Sequence, residues 1–198
     1  MTARAEDLPP GPATKREWRR LLRAARAAVA PEIRAQRAEA LAAGMLRIAA
    51  EHEGPLCAYL PVGSEPGSSA AVDALRDAGF EVLLPIVPAQ PGPLDWARHD
   101  GRLAPGPIGL REPAGPRLGP TAIGRARLVF VPALAVDRRG VRLGQAGGYY
   151  DRSLPLATPG TPLVAVVDEG ELVDELPVEP HDHRVTAVLQ PSGRTAVG

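Results

Sequence analysis

The fold is decided by two short apolar runs, Leu56-Cys57-Ala58-Tyr59-Leu60 and Glu81-Val82-Leu83-Leu84-Pro85-Ile86-Val87. Each run is too short for a helix and is typical of a strand that is buried on both faces. The residues between them, Ser68 to Gly79, place apolar side chains at helical spacing and end on a glycine. The order strand, helix, strand predicts a βαβ unit, in which the two strands run parallel.

Helical patterns also fill the region before this unit. From Lys15 the apolar residues recur at spacings of three and four, and Thr14 is placed to cap the helix. A second helix is expected from Pro31 to about Glu51. The sequence therefore predicts two helices ahead of the first strand.

Two more buried strands are predicted after the unit, at Leu128 to Val131 and at Leu163 to Val167. Shorter strands are expected near Leu94 to Ala97 and near Pro107 to Leu110. The predicted fold class is α/β: a mostly parallel central sheet with helices on both faces, in a Rossmann-like three-layer single domain. The expected boundaries are a disordered tail at 1–13, the domain at 14–190 and a C-terminal tail at 191–198.

Composition limits the class of protein. The chain has 198 residues, 44% of them hydrophobic, and its 23 Lys and Arg balance its 23 Asp and Glu. Zero net charge and few aromatic residues argue against nucleic-acid binding. Its one cysteine, Cys57, cannot form an internal disulfide, and no run reaches the 18 apolar residues of a membrane span. These features favour a reducing compartment, and a cytoplasmic protein is expected.

A cluster of small residues follows Arg142, at Gly144, Ala146, Gly147 and Gly148, where a helix is expected to begin. Small side chains let the backbone approach an anion, and amides at a helix start point at it. Arg142 would add a planar donor for phosphate oxygens. A plain tight turn is the alternative. Asp151 is a candidate Mg²⁺ ligand or, equally, a helix-start residue.

Four other residues are candidates for binding. Lys15 is the chain's only lysine and lies four residues before Arg19, so both could hold one phosphate group, although a solvated helix face is the alternative. Glu65 follows the first strand, where a carboxylate could meet a polar heterocycle or could simply be a surface residue. Trp96 could stack on a planar ligand or pack in the core.

Taken together, the motifs resemble the 5-formyltetrahydrofolate cyclo-ligase family over about Lys15 to Leu189. The resemblance implies an ATP-dependent, Mg²⁺-requiring ring closure of 5-formyltetrahydrofolate to 5,10-methenyltetrahydrofolate, with release of ADP and phosphate. The motifs that carry it are Lys15-x-x-x-Arg19, Tyr59-Leu60-Pro61 with Glu65, Gly109-Leu110-Arg111-Glu112-Pro113, Val131-Pro132-Ala133-Leu134-Ala135-Val136-Asp137, Arg142-Leu143-Gly144 through Tyr149-Tyr150-Asp151-Arg152, and Pro177 with His181-Asp182.

The resemblance also implies roles for single residues. It assigns catalytic roles to Lys15, Arg142 and Tyr149, folate binding to Leu60, Glu65, Trp96 and Tyr149, and Mg²⁺ binding to Asp151 and Asp182. The expected partners are a reduced folate and ATP, without nucleic acid or membrane, and the protein is expected to be a monomer. The ATP-binding residues it implies are Lys15, Arg19, Arg142, Leu143, Gly144, Gln145, Ala146, Gly147, Gly148, Tyr149 and Tyr150.

One position departs from the family's loop, which usually reads Arg-Leu-Gly-x-Gly-x-Gly-Tyr-Tyr-Asp. Here Ala146 stands at the second of its three glycines. If that position needs a positive φ, alanine strains the loop by roughly 1 kcal/mol. Two alternatives to the cyclo-ligase therefore stay open: a catalytically weak homologue that binds folate or nucleotide, and another phosphate enzyme on the same scaffold.

Overall fold

The computed structural model describes residues 14–180 and 182–198, so the tail expected at 1–13 and His181 lie outside the described part. It has four α-helices: α1 (Lys15–Ala27), α2 (Pro31–Ala49), α3 (Ser69–Asp77) and α4 (Tyr149–Ser153). Its twelve strands are β1 (Leu56–Cys57), β2 (Val82–Ile86), β3 (Asp95–Arg98), β4 (Leu103–Pro105), β5 (Arg111–Pro113), β6 (Leu128–Pro132), β7 (Ala135–Asp137), β8 (Arg142–Leu143), β9 (Leu163–Val166), β10 (Leu172–Val173), β11 (Ala187–Gln190) and β12 (Gly193–Ala196).

A seven-stranded sheet forms the centre, in the order β12-β11-β9-β6-β1-β2-β3. All neighbours from β11 to β2 pair in parallel, and the two edge strands, β12 and β3, pair antiparallel. The predicted α/β class with a mostly parallel central sheet is confirmed. The parallel strands end on one side of the sheet, where ligand sites of such folds usually lie.

Local signals in the sequence set the helix boundaries. Thr14 and Glu17 form a reciprocal capping box at the start of α1, in which each side chain accepts a hydrogen bond from the other's backbone N–H. Ser68 caps α3 by accepting from the Ala71 N–H at 3.1 Å. Gly79, with φ +94°, follows the end of α3, as its position in the sequence predicts.

The two faces of the sheet are covered differently. Helices α2 and α3 pack their buried side chains against one face, around Phe130 and Leu84. Short helical segments cover the other face: α4 and the 3₁₀ turns Pro120–Arg125 and Leu154–Leu156. A small sheet in the order β10-β7-β8 lies beside them. Within the described residues, every helix is too short or too polar to cross a bilayer.

Helix α1 packs on the small sheet through Leu22, and a buried arginine anchors its last turn. Arg26 donates from Nε and Nη2 to the two carboxylate oxygens of Glu171, at 2.7 and 2.8 Å, and from Nη2 to the Ala133 carbonyl at 2.6 Å. Both side chains of the ion pair are almost fully buried. The C-terminal end of α1 is therefore fixed by a charged pair in the interior.

Two expectations are wrong. The strand expected near Pro107 to Leu110 is a 3₁₀ turn at Pro107–Gly109, because the Leu110 N–H turns back to the Pro107 carbonyl at 3.0 Å; the strand β5 follows it. The expected C-terminal tail contains β12, whose pairing with β11 across a two-residue turn brings Gln190 opposite Gly193. That strand is also held by the ion pair between Arg194 and Glu51, at 2.7 Å.

Candidate active site

A cavity of about 580 Å³ opens where β1, β2 and β6 end. Residues just beyond these strands form its floor, α1 contributes two cations, and the loop between β8 and α4 forms a wall. With the exception of Trp96, every predicted site residue lines this cavity: Lys15, Arg19, Leu60, Glu65, Arg142, Leu143, Gly144, Gln145, Ala146, Gly147, Gly148, Tyr149, Tyr150, Asp151 and Asp182.

Arginines hold the wall loop by its backbone carbonyls. Arg19 Nε donates to the Gly144 carbonyl at 2.9 Å, Arg23 Nη2 to that of Gln145 at 3.0 Å, and Arg152 Nη2 to that of Gly147 at 2.9 Å. The N–H of each peptide unit points opposite to its carbonyl. The N–H groups that follow these three carbonyls donate no hydrogen bond within the described part of the chain, which leaves them free to meet an anion.

Ala146 lies at the centre of this loop with φ +94° and is the one non-glycine residue of positive φ among those described. The position does need the backbone conformation that favours glycine, as its place in the glycine pattern suggests. For an L-residue this conformation costs roughly 1–2 kcal/mol. The loop is therefore held in a strained state by contacts outside Ala146.

Buried Arg142 and partly exposed Asp151 form an ion pair across the loop, in which Arg142 Nη2 donates to Asp151 Oδ1. Arg142 Nη1 also donates to the Pro132 carbonyl at 3.3 Å, and its guanidinium carbon lies 5.8 Å from the centre of the Tyr150 ring. Buried Arg142 Nε makes no hydrogen bond within the described residues. The pair joins β8 to the first turn of α4 and places a cation beside the loop amides.

Lys15 contacts an acidic segment near the C-terminal end of the chain, which contains Glu179 and Asp182. Its Nζ lies 2.7 Å from both carboxylate oxygens of Asp182 and 2.7 Å from Glu179 Oε2. Asp182 is almost fully buried and also accepts from the Glu179 N–H at 2.7 Å. Sequence reasoning placed Lys15 and Asp182 in the site but did not pair them, because the two are far apart in the chain.

Glu65 lines the cavity from the loop after β1. Its Oε2 accepts from the Val62 N–H at 3.0 Å. Burial raises the pKa of Glu65, while the bond from Val62, the positive charge of Arg26 and a hydrogen bond from Gln145 act in the opposite direction. The hydroxyl of Tyr150 is buried nearby without a hydrogen-bond partner in the described residues, and burial raises its pKa well above 10.0.

Trp96 does not reach the cavity, so its expected stacking on a ligand is not supported. Its side chain is fully buried and packs with Leu83 and Val131 in the core on the side of the short helices. In β3 it pairs with Pro85 of β2, so it is part of the sheet. The alternative interpretation, a core tryptophan, is the correct one.

The structure adds residues that sequence reasoning did not assign to the site. Arg23 and Arg152 hold the wall loop, and Glu179 contacts Lys15. Leu110, Arg111 and Glu112 line the cavity, and Glu112 accepts from the Val87 N–H at 2.8 Å. The motif from Gly109 to Pro113 was the available signal for this last group. The described residues contain no cluster of three or more His, Cys, Asp or Glu that could bind a metal unaided.

The fold and this cavity define an α/β protein whose ligand site lies at the carboxyl ends of its parallel strands and is lined by glycines and by both basic and acidic side chains. Residues 12–191 match the 5-formyltetrahydrofolate cyclo-ligase family, and the chain belongs to that family. It is 44% identical over 187 residues to the 5-formyltetrahydrofolate cyclo-ligase of Mycolicibacterium smegmatis, covering 91% of this chain and 95% of the relative. Identity to the enzyme of that name from Escherichia coli is 30%, covering 68% of this chain and 76% of the relative.

Solved structures share the fold. The NMR structure of Aquifex aeolicus 5,10-methenyltetrahydrofolate synthetase superposes with a TM-score of 0.78 at 22% identity, covering 92% of each chain. A 5,10-methenyltetrahydrofolate synthetase from Mycoplasma pneumoniae superposes with a TM-score of 0.70 at 15% identity, covering 88% of this chain and 96% of that one. At such identities these similarities establish the architecture.

Proposed function

We propose that this chain converts 5-formyltetrahydrofolate to 5,10-methenyltetrahydrofolate, using ATP with Mg²⁺ and releasing ADP and phosphate. One observation carries the proposal: in a chain of this family, one cavity is lined by a loop with free amides, by three flanking cations and by the half-buried carboxylate of Glu65. The loop and cations suit phosphates, and the carboxylate suits the polar edge of a heterocycle.

In the proposed reaction the formyl oxygen attacks the γ-phosphorus of ATP, and ADP leaves with the electrons of the broken P–O bond. N10 of the folate then attacks the activated formyl carbon and gives up its proton, and phosphate departs with the former formyl oxygen. The ring is closed by the new bond between that carbon and N10. No covalent bond to the protein is needed, so the task of the chain is to position and neutralise the reactants.

On the nucleotide side, Lys15, Arg19 and Arg142 would hold the phosphates, together with the amides of the loop from Leu143 to Tyr150. The carbonyls of this loop are already bound by arginines, so little reorganisation is required when an anion arrives. Lys15 would exchange part of its contact with Asp182 and Glu179 for phosphate oxygens. Arg142 lies beside the loop and would stabilise the charge that develops during transfer.

The donor set fits Mg²⁺ bound together with phosphates. Mg²⁺ takes one or two carboxylates and fills its other positions with phosphate oxygens and water. Asp151 lines the cavity and, within the described residues, hydrogen-bonds through Oδ1 to Arg142, which leaves Oδ2 for a metal. Asp182 fits less well, because Lys15 contacts both of its oxygens. The metal would neutralise phosphate charge; Asp151 is the residue that we assign to hold it.

On the folate side, Glu65 would accept from polar edges of the pterin region, with Leu60 and Tyr149 packing on its rings. The ring of Tyr149 lies 5.3 Å from the Arg152 guanidinium carbon, which supports it from behind. Tyr149 belongs to the first turn of α4, directly after the loop, and lines the same cavity as Glu65. From this position it would orient the formyl group toward the nucleotide.

The test is the near-ultraviolet absorbance of the methenyl product, followed with purified protein, 5-formyltetrahydrofolate, ATP and Mg²⁺, and with ATP omitted as the control. We expect growth of that band only when ATP is present. If the band does not grow while calorimetry still detects binding of folate or ATP, the chain is a binding homologue without useful turnover. If neither ligand binds, the proposal fails.

A further inference from the structure

We infer that Arg23 is a positioning residue that holds the strained conformation at Ala146 and so keeps the loop competent to bind phosphates. The kinetic test of this inference rests on the proposed function, but the contacts that support it are all within the chain and involve no ligand. Neither the sequence motifs nor the family's glycine pattern assigns a role to Arg23.

The first observation is the number and type of bonds that Arg23 makes. From α1 its Nη2 donates to the Gln145 carbonyl at 3.0 Å, and Nε and Nη2 donate to the Gln145 side-chain oxygen at 3.0 and 2.9 Å. One guanidinium therefore fixes both the backbone and the side chain of the residue directly before Ala146. A planar fork suits this geometry, which a lysine could not reproduce.

The second observation is the strain that these bonds oppose. Ala146 has φ +94°, where a glycine would be free of the penalty that a Cβ imposes. Without Arg23, an alanine at this position would favour backbone states of negative φ, and the amides next to it would leave the positions seen here. With a glycine in place of Ala146, the removal of Arg23 should change the loop conformation much less. Arg23 and Ala146 are thus expected to be energetically coupled.

The third observation is that Gln145 is itself part of the cavity. Gln145 and Glu65 both line it, and the Gln145 side chain acts to lower the pKa of the Glu65 carboxyl, which burial raises. The oxygen of the same side chain accepts from Arg23. By fixing Gln145, Arg23 therefore sets the position of a side chain that acts on the carboxylate proposed to bind folate.

The experiment is a double-mutant cycle of Arg23→Gln and Ala146→Gly, with Arg20→Gln as the matched control. Arg20 is exposed on the same helix, and no hydrogen bond or ion pair of its side chain occurs in the described structure. In the original background we expect Arg23→Gln to raise the KM for ATP about fivefold or more with little change in the melting temperature. In the Ala146→Gly background the rise should be twofold or less, and Arg20→Gln should change neither value.

A second readout does not depend on turnover: hydrogen exchange of the amides in residues 144–148 of the ligand-free protein. Arg23→Gln should speed this exchange while leaving β6 and β9 unchanged, and Ala146→Gly should reduce the effect. An equal rise in KM in both backgrounds, or unchanged exchange in Arg23→Gln, overturns the inference. If the original protein forms no product, the proposed function fails, and the exchange data alone decide the role of Arg23.

Discussion

The ammonium of Lys15 lies 2.7 Å from both carboxylate oxygens of Asp182, and both side chains are largely shielded from solvent. The chain's single lysine is therefore part of an ion pair that links α1 to the acidic segment before β11. The pairing gives Lys15 a function in stability, which can be separated from the binding of phosphates that we propose for it.

Replacing Lys15 tests this separation. Lys15→Ala leaves the buried carboxylate of Asp182 without its cation, so we expect a loss of about 2–3 kcal/mol in the free energy of unfolding. It should also lower kcat/KM for ATP at least about tenfold. The double variant Lys15→Ala/Asp182→Asn should recover most of the stability and none of the activity. Recovery of both by the double variant would remove Lys15 from the nucleotide site.

Asp151 is the residue that we assign to Mg²⁺. In Asp151→Asn the half-saturating concentration of Mg²⁺ should rise about tenfold or more, since one charged ligand is lost. The measurement is a metal titration of the initial rate at fixed ATP, after removal of divalent ions by a chelator. Glu175→Gln, which changes an exposed carboxylate outside the cavity, is the control. An identical titration curve for Asp151→Asn would contradict the assignment.

Glu65 makes stability depend on pH in a defined direction. Burial raises its pKa above the ordinary 4.5, so the folded protein holds this proton more tightly than the unfolded chain. The folded state therefore loses stability as pH rises from 4.5 through the raised pKa. Glu65→Gln removes this loss: relative to the original protein it should gain stability over that window and stay level below it.

The same substitution should weaken folate binding. Loss of the charged acceptor is expected to raise the KM for 5-formyltetrahydrofolate about tenfold or more. Chemical denaturation at a series of pH values, combined with kinetics at pH 7, checks both statements. A variant that shows the stability gain but keeps its folate KM would leave Glu65 as a buried carboxylate without a role in binding.

Trp96 distinguishes a core residue from a ligand-stacking residue. Because its ring is fully buried in the core, Trp96→Phe should lower the free energy of unfolding by about 1–3 kcal/mol. The KM values for folate and ATP should change less than twofold in the variant that remains folded. A large rise in the folate KM with an unchanged melting temperature would restore the stacking interpretation.

Gly140 and Gly160, which do not line the cavity, offer a matched pair for testing how tightly the backbone is packed. Both have positive φ, but a Cβ at Gly140 would lie 2.4 Å from the Val185 carbonyl oxygen, whereas nothing lies within 4 Å of one at Gly160. Gly160→Ala should cost about 1 kcal/mol, and Gly140→Ala about 3 kcal/mol or more, because backbone must also move. Equal costs, measured by denaturant unfolding, would show that the contact with Val185 is easily relieved.

The sequence predicts the parts of this protein whose signals are local. Periodicity and caps locate α1 and α3 closely, since Thr14 and Ser68 act on amides three residues away. The short strand β12 is missed, because its stability comes from pairing with β11 and from Arg194 reaching Glu51. The sequence at Pro107–Gly109 is typical of an extended strand, but the hydrogen bond from the Leu110 N–H to the Pro107 carbonyl makes this segment a 3₁₀ turn.

Much of the candidate site is predictable because its residues fall in motifs at strand ends. What is not predictable is the choice of partner. Whether Asp182 meets a metal or Lys15, and whether Trp96 meets a ligand or Leu83, depends on where distant segments pack. No motif in the sequence indicates Arg23, because it binds the backbone carbonyl of Gln145. Every residue type has such a carbonyl, so this contact does not constrain which residue stands there.

The buried pair between Arg26 and Glu171 fixes α1 near its C-terminal end, and Lys15 lies eleven residues away, or about 16 Å along the axis. There the helix is fixed a second time, by the ion pair between Lys15 and Asp182. Between these two points Arg19 and Arg23 bind carbonyls of the wall loop. A tilt of α1 by about 10° at Arg26 would shift Lys15 by roughly 3 Å and break its contact with Asp182. The two ion pairs together therefore set the tilt of α1, and with it the position of the loop that the helix holds.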